Sequence, residues 1–168
     1  MTLAQKTGFA LTASTPLGLL TLGEEAGAIV ALSWGTTREQ QETALLRRAC
    51  CMLERYFTGQ REAFDLPLRP AGTAFERSVW TVLRTIPWGE RWTYGEVARL
   101  AGGSPRAVGR AAGRNPIPIM IPCHRVVAAD GLGGFSAPGG VATKRALLAR
   151  EGNSFPGDHF ADGGSGHR

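Results

Sequence analysis

Apolar and polar residues alternate through FALTAST, LLTL and AIVALSW, within residues 9–35, and Pro16, Gly18 and the stretch from Gly23 to Gly27 separate these runs. A period of two interrupted by turn residues predicts two or three tightly joined antiparallel strands. The period then changes. Over residues 39–57, Leu45, Ala49, Met52, Leu53 and Tyr56 share one stripe and Gly59 closes it, which predicts an amphipathic helix. A short strand near FDLPL and a break from Arg69 to Gly72 complete a small α/β unit, residues 1–70.

From Thr73 onward the pattern is helical. Thr73 to Glu76 is a capping-box sequence, opening a helix with Phe75, Val79, Val82, Leu83 and Ile86 on one face; Pro87 to Gly89 ends it. Thr93 to Glu96 repeats the signature and opens a shorter helix that runs to Gly102 and Gly103. Ser104 and Pro105 then supply an N-cap and a first-turn proline for a third helix, 105–113. Two short helices joined by Gly-Gly are a helix-turn-helix candidate. The third helix, PRAVGRAAG, is built mostly of small residues and arginine, and two readings stay open. It either packs closely against a neighbour or is slim enough for DNA, docking in the minor groove with Arg106 inserted. Residues 115–122 hold three prolines and are expected to be a stiff extended segment leading to Cys123. A Gly-rich loop, 131–140, and a last helix ending at Gly152 complete a second unit, 73–152, and residues 153–168 read as a flexible tail.

Composition narrows the function. The chain has 168 residues, 43% apolar and 20% charged, which suits one or two soluble globular domains. No apolar run approaches the roughly 18–20 residues of a membrane span, and the N-terminus lacks a secretory pattern. No membrane partner is expected, and the expected compartment is the cytoplasm. The net charge of +5 is unevenly placed: residues 1–70 sum to zero, 71–151 to +6 and 152–168 to −1. Arg99, Arg106, Arg110, Arg114 and Arg125 follow one another with no acid between Glu96 and Asp130, and arginine forks well onto phosphate. Three cysteines cannot make a disulfide framework; Cys50 and Cys51 fall in the first helix, where one is expected to pack as a small hydrophobe and the other to lie near the edge of the stripe. No cysteine or histidine spacing suggests a metal site, so none is expected.

That leaves Cys123, in IPCHRVV. A cysteine beside His124 and Arg125 is either a buried inert thiol or a nucleophile with a lowered pKa. In an extended chain adjacent side chains point to opposite sides, so His124 would need a bridging water and an orienting carboxylate, for which Glu151 is the candidate.

NPIPIMIPCHRVV, preceded by RAVGRAAGR and TYGEVARLAG, resembles the O6-alkylguanine-DNA alkyltransferases, from about Thr73 to Gly152; the N-terminal half fits more loosely. The resemblance implies an α+β fold, with a ribonuclease H-like N-terminal α/β domain and a mainly helical, winged-helix-like C-terminal domain. It implies direct DNA repair, in which an alkyl group leaves O6 of a flipped-out guanine in duplex DNA, with O4-alkylthymine a further candidate lesion, and ends on the protein. It assigns Cys123 as acceptor, His124 as the base acting through water, Glu151 as its carboxylate and Asn115 as the residue stabilising the turn near the thiol. Tyr94 would crowd a phosphate and protonate the departing guanine. Substrate contacts fall to the Val126 carbonyl, Phe135 by stacking and the Ser136 backbone N–H. DNA contacts fall to Arg106, which fills the gap, with Ala107, Gly109, Arg110, Ala111 and Arg114. No cofactor is implied, the expected turnover is one per molecule, and a monomer that can cluster on DNA is expected. Phe135 stands where many relatives have Tyr, and the 136–140 loop reads about two residues longer than the commoner form.

Three other classes of protein fit the residues less well. A non-catalytic lesion-binding relative would lack the acceptor cysteine. A helix-turn-helix regulator would want base-reading side chains on its second helix. A cysteine hydrolase would need an oxyanion loop.

Overall fold

The computed structural model describes residues 8–61 and 63–155. The greater part of the expected tail, with His159 and His167, lies outside them.

Three strands form an antiparallel meander: β1 (Phe9–Thr15), β2 (Gly18–Glu25) and β3 (Ala28–Trp34), in the order β1-β2-β3. Leu20, Leu22, Ile29 and Leu32 are buried from this sheet; the alternation breaks at a register shift between Gly23 and Glu24, so Ile29 and Leu32 are both buried though three residues apart. Helix α1 (Ala44–Phe57) packs across the sheet with Leu46, Ala49, Met52, Leu53, Tyr56 and Phe57 buried.

The helix begins later than residue 39 because Thr43 is its cap, accepting from the Leu46 N–H and donating to Glu24. Residues 36–42 instead latch the outer strand. The Gln41 N–H donates to the Ala10 carbonyl at 2.8 Å, and the Gln40 side chain accepts from Thr12 N–H. The strand expected near FDLPL reduces to one parallel bridge, Leu68 to Ile29.

The second half follows its punctuation closely. Helix α2 (Ala74–Leu83) and helix α3 (Tyr94–Ala101) both open with complete capping boxes, from Thr73 with Glu76 and from Thr93 with Glu96. Each such cap is worth about 1 kcal/mol. Gly102 and Gly103 take positive φ and turn the chain into α4 (Pro105–Gly113), capped by Ser104. Helices α2, α3 and α4 pack mutually, and α5 (Val141–Arg150) closes the fold.

The alternation did not reveal a two-stranded parallel pair, β4 (Trp92–Thr93) with β5 (Val126–Val127), which lashes the start of α3 to the chain just after Cys123. Two residues per strand are too few to show a period. One apolar core runs through both halves, from Leu20 and Leu53 to Trp80, Val108 and Leu147.

Candidate alkyl-transfer site

Residues 115–122 are compact where an extended segment was expected. The Asn115 side chain makes the turn, accepting from Ile117 N–H at 3.0 Å and donating to the Ile121 carbonyl at 2.8 Å. Ile119 sits at φ 73°, a left-handed conformation unusual for a β-branched residue. Prolines at 116, 118 and 122 lack the N–H groups that would compete for those acceptors.

The turn feeds a single 3-10 turn, Cys123–Arg125, rather than a strand, because the Pro122 carbonyl accepts from Arg125 N–H at 3.0 Å. The extended geometry that would set Cys123 and His124 on opposite sides is therefore not what the chain adopts here. All three residues of the turn are buried, Cys123 with 7% exposure and His124 with none.

Glu151, capping the C-terminus of α5, reaches this turn. Its Oε1 lies 2.7 Å from His124 Nε2, and Arg125 forks onto both oxygens at 2.8 and 2.9 Å. Arg125 Nη1 donates to the Ile86 carbonyl at 2.6 Å. Burial pushes the Glu151 carboxyl up, but His124 and Arg125 outweigh it and hold the group at about 2.

An ionised carboxylate only accepts, so His124 Nε2 carries the proton and Nδ1 is the acceptor. Nδ1 is buried and has no hydrogen-bond partner among the described residues. Burial also lowers the His124 pKa, against the pull of Glu151. At Cys123 burial raises the thiol pKa, opposed by the Asn115 side chain, the Lys144 charge and the backbone N–H groups of Cys123 and His124. The resting pair is accordingly a neutral thiol beside a neutral imidazole.

Cys123 opens onto a cavity of about 780 Å³ that also reaches Tyr94, Gly109, Asn115, Pro118, Phe135 and Ser136. Gly113 lies close against this wall: a Cβ there would stand 3.1 Å from Ser136 Oγ. Gly133 has φ 71°, and a Cβ would meet the Tyr94 hydroxyl at 2.8 Å. Burial, then the nearby Cys123, raises the Tyr94 pKa, so the phenol keeps its proton. Strand β3 contributes Ala31, Leu32, Ser33 and Trp34 to the far side, which the sequence did not signal.

Other expected residues are placed differently. Val126 is buried outside this lining, and its carbonyl accepts from Lys144 Nζ at 2.5 Å, leaving one lone pair. Ala111, expected at the DNA surface, is buried under Trp80, whose indole N–H donates to the Ala111 carbonyl at 2.8 Å. Its small size serves helix packing. Ala107 is half-buried, and Arg106 and Arg110 are exposed with no ion pair among the described residues. Arg114 is bonded to Glu76 at 3.1 Å. Arg125 is internal, so it leaves the run of exposed cations.

Two buried participants were missed from sequence. Lys144 is fully buried, donates to the Val126 and Gly134 carbonyls and has its pKa lowered to about 8 by burial. A lysine three residues before the inward-facing Leu147 was the available signal. Tyr56 donates to Glu151 Oε1 at 2.9 Å across 95 residues of chain, and no local pattern marks such a contact. Among the described residues no group of three His, Cys, Asp or Glu side chains is arranged to hold a metal ion.

A three-stranded meander with one helix, joined to a helical unit that buries a thiol, imidazole and carboxylate behind a cavity, defines a two-part fold of ribonuclease-like and DNA-binding type. The 6-O-methylguanine DNA methyltransferase models match it in both parts, the ribonuclease-like domain over residues 10–70 and the DNA-binding domain over 74–153. The chain is 40% identical over 157 residues to the methylated-DNA–protein-cysteine methyltransferase of Mycobacterium tuberculosis, covering 88% of this chain and 94% of that one. It is 44% identical over 130 residues to the constitutive enzyme of Bacillus subtilis, covering 69% and 78%. A crystal structure of the M. tuberculosis OGT in complex with DNA superposes with TM-score 0.76 at 40% identity, covering 85% of this chain and 92% of that one. The chain belongs to the 6-O-methylguanine DNA methyltransferase family, DNA-repair proteins that move an alkyl group from DNA to a protein cysteine.

Proposed function

We propose that Cys123 is the acceptor and that the substrate is O6-alkylguanine swung out of duplex DNA into the cavity it shares with Tyr94 and Phe135. The carrying observation is the bare, buried Nδ1 of His124, whose other nitrogen is tied to an ionised Glu151. That tautomer accepts a proton, and a water between Sγ and Nδ1 relays it.

The thiolate attacks the alkyl carbon, the S–C bond forms as the C–O6 bond breaks, and guanine leaves with a proton from Tyr94. His124 takes the thiol proton and Tyr94 gives one to guanine, so the proton on His124 restores the Tyr94 phenol and the sum is thiol plus alkylguanine to thioether plus guanine. Asn115 holds the turn that aims Sγ, Phe135 stacks on the base, and the Ser136 N–H and Val126 carbonyl read its edge.

Flipping costs a few kcal/mol of lost stacking, which Arg106 offsets by filling the gap. Ala107, Gly109 and Arg110 lie along the same helix, α4, with Arg106, while Arg114 reaches phosphate only on leaving Glu76. Residues 73–152 carry the chemistry and residues 1–70 support it. The chain acts once, as a monomer, in the cytoplasm, where its three free cysteines stay reduced.

Mass spectrometry after reaction with duplex DNA bearing O6-methylguanine tests this reading. A single gain of about 14 Da, one CH2, is expected on the Cys123 peptide. Repeated turnover, or transfer that survives Cys123→Ala, would overturn it.

A further inference from the structure

The Glu151 carboxylate is held from two parts of the chain. Arg125 and His124 come from the turn beside Cys123, whereas Tyr56 comes from α1, in the N-terminal unit. Three donors converge on one oxygen: Oε1 receives His124 Nε2 at 2.7 Å, Arg125 Nη2 at 2.8 Å and the Tyr56 hydroxyl at 2.9 Å. The Tyr56 ring is fully buried and has little freedom to turn away, meeting Phe57 and Trp88 edge-on and Phe64 at a tilt, with centroids 5.1 to 5.7 Å apart.

We propose that Tyr56 is a positioning residue for alkyl transfer: its hydroxyl pins the Glu151 oxygen that orients His124, so that the N-terminal unit sets the proton acceptor of the C-terminal one. The proposal rests on the acceptor role of Cys123 argued above.

The hydroxyl acts in two ways. It fixes the point at which the imidazole N–H is aimed, and with it the direction of the Nδ1 lone pair. It also shares the charge of Oε1, leaving that oxygen a weaker base. Burial, and then the Glu151 charge, keep the phenol well above its ordinary pKa, so Tyr56 remains a donor at any working pH. The other charges near this cluster are Arg125 in the turn and Arg150 and Lys144 on α5. None is altered by removing the hydroxyl.

Tyr56→Phe keeps the ring and its packing and deletes only the donor. With its loss Glu151 becomes more basic and holds the His124 imidazolium more tightly. The acid limb of the transfer-rate profile therefore moves to higher pH.

The test is single-turnover transfer from O6-methylguanine duplex DNA across pH, by the unaltered chain, Tyr56→Phe and Phe57→Leu, each with a melting curve. Tyr56→Phe is expected to slow transfer about tenfold, with the acid limb raised and duplex binding unchanged. Phe57→Leu, which loosens the packing but keeps the hydroxyl, is expected to lower the melting temperature and leave the limb in place. Transfer by Tyr56→Phe at the unaltered rate and profile would overturn the proposal. A slower rate with an unmoved limb and the same thermal loss as Phe57→Leu would overturn it too, as a packing effect. No transfer by the unaltered chain would overturn the acceptor reading itself, and this proposal with it.

Discussion

The proton inventory of the buried cluster has consequences at single residues. Glu151 is held at about 2 against an ordinary 4.5, so its contribution to stability is present above 4.5 and disappears as pH falls toward 2. His124 has a lowered pKa, so its folded form is favoured neutral; that share is complete above 6.5 and declines below it. The folded state is therefore expected to weaken in two stages on acidification, His124 first and Glu151 second, with the second stage lost in Glu151→Gln. Without the carboxylate, His124 loses the group that fixes its tautomer, and transfer should fall at least about a hundredfold at neutral pH. Rapid-quench transfer assays and melting curves against pH check both statements; transfer within threefold of the unaltered chain would contradict this use of Glu151. Cys123, His124 and Glu151 were legible in the sequence because a motif names them. Lys144 and Tyr56 were not, since their partners are two backbone carbonyls and a carboxylate beyond any local pattern in the chain.

Among elements, α4 separates what a pattern reveals from what packing decides. Its bounds, cap and Gly-Gly entry were readable, because each depends on neighbours within four residues. The reason for its small residues was not. Val108 and Ala111 face inward, against the helices of the same unit, while Gly109, Ala112 and Gly113 line the cavity beside Cys123. The close-packing reading therefore holds on one face of these nine residues, and the other face borders the cavity. The proline-rich segment shows the converse error: excluding a helix left extension as the default, whereas Asn115 and the Pro122 carbonyl offered turns. Arg106 is exposed on the first turn of α4, and its test belongs to the helix. Arg106→Ala should weaken repair of duplex DNA by about tenfold or more while sparing reaction with a free O6-alkylguanine base, which leaves no gap to fill. Equal losses on both substrates, measured as second-order rates, would place Arg106 outside the flipping step.

At the scale of the whole molecule, the two units are less separate than the break at Arg69 to Gly72 suggests. Besides the common core, the Leu32 N–H donates to the Pro116 carbonyl at 2.9 Å and Arg150 donates to the Phe57 carbonyl at 2.7 Å. Linker composition shows where a chain can be divided but carries no information about what meets across the division. Charge behaves similarly. The sequence places an excess of +6 in residues 71–151, yet Arg125 lies inside the protein and Arg114 is engaged with Glu76.

The internal fork of Arg125 thus bears on how the protein searches a genome. Of the five arginines in the acid-free run, only Arg99, Arg106 and Arg110 are left without a bonded carboxylate among the described residues. If these three meet phosphates, about three counterions leave the DNA, and the logarithm of affinity should fall with that of salt at a slope near −2.7. From 50 to 200 mM salt the loss is then roughly fortyfold, smaller than for a protein that displaces six to ten ions. Fluorescence anisotropy on undamaged duplex measures this slope, and a value near −6 would mean that Arg114 and further cations take part. A shallow slope leaves retention on DNA to the occupied cavity more than to the ion atmosphere, so residence time becomes the quantity that marks a damaged site.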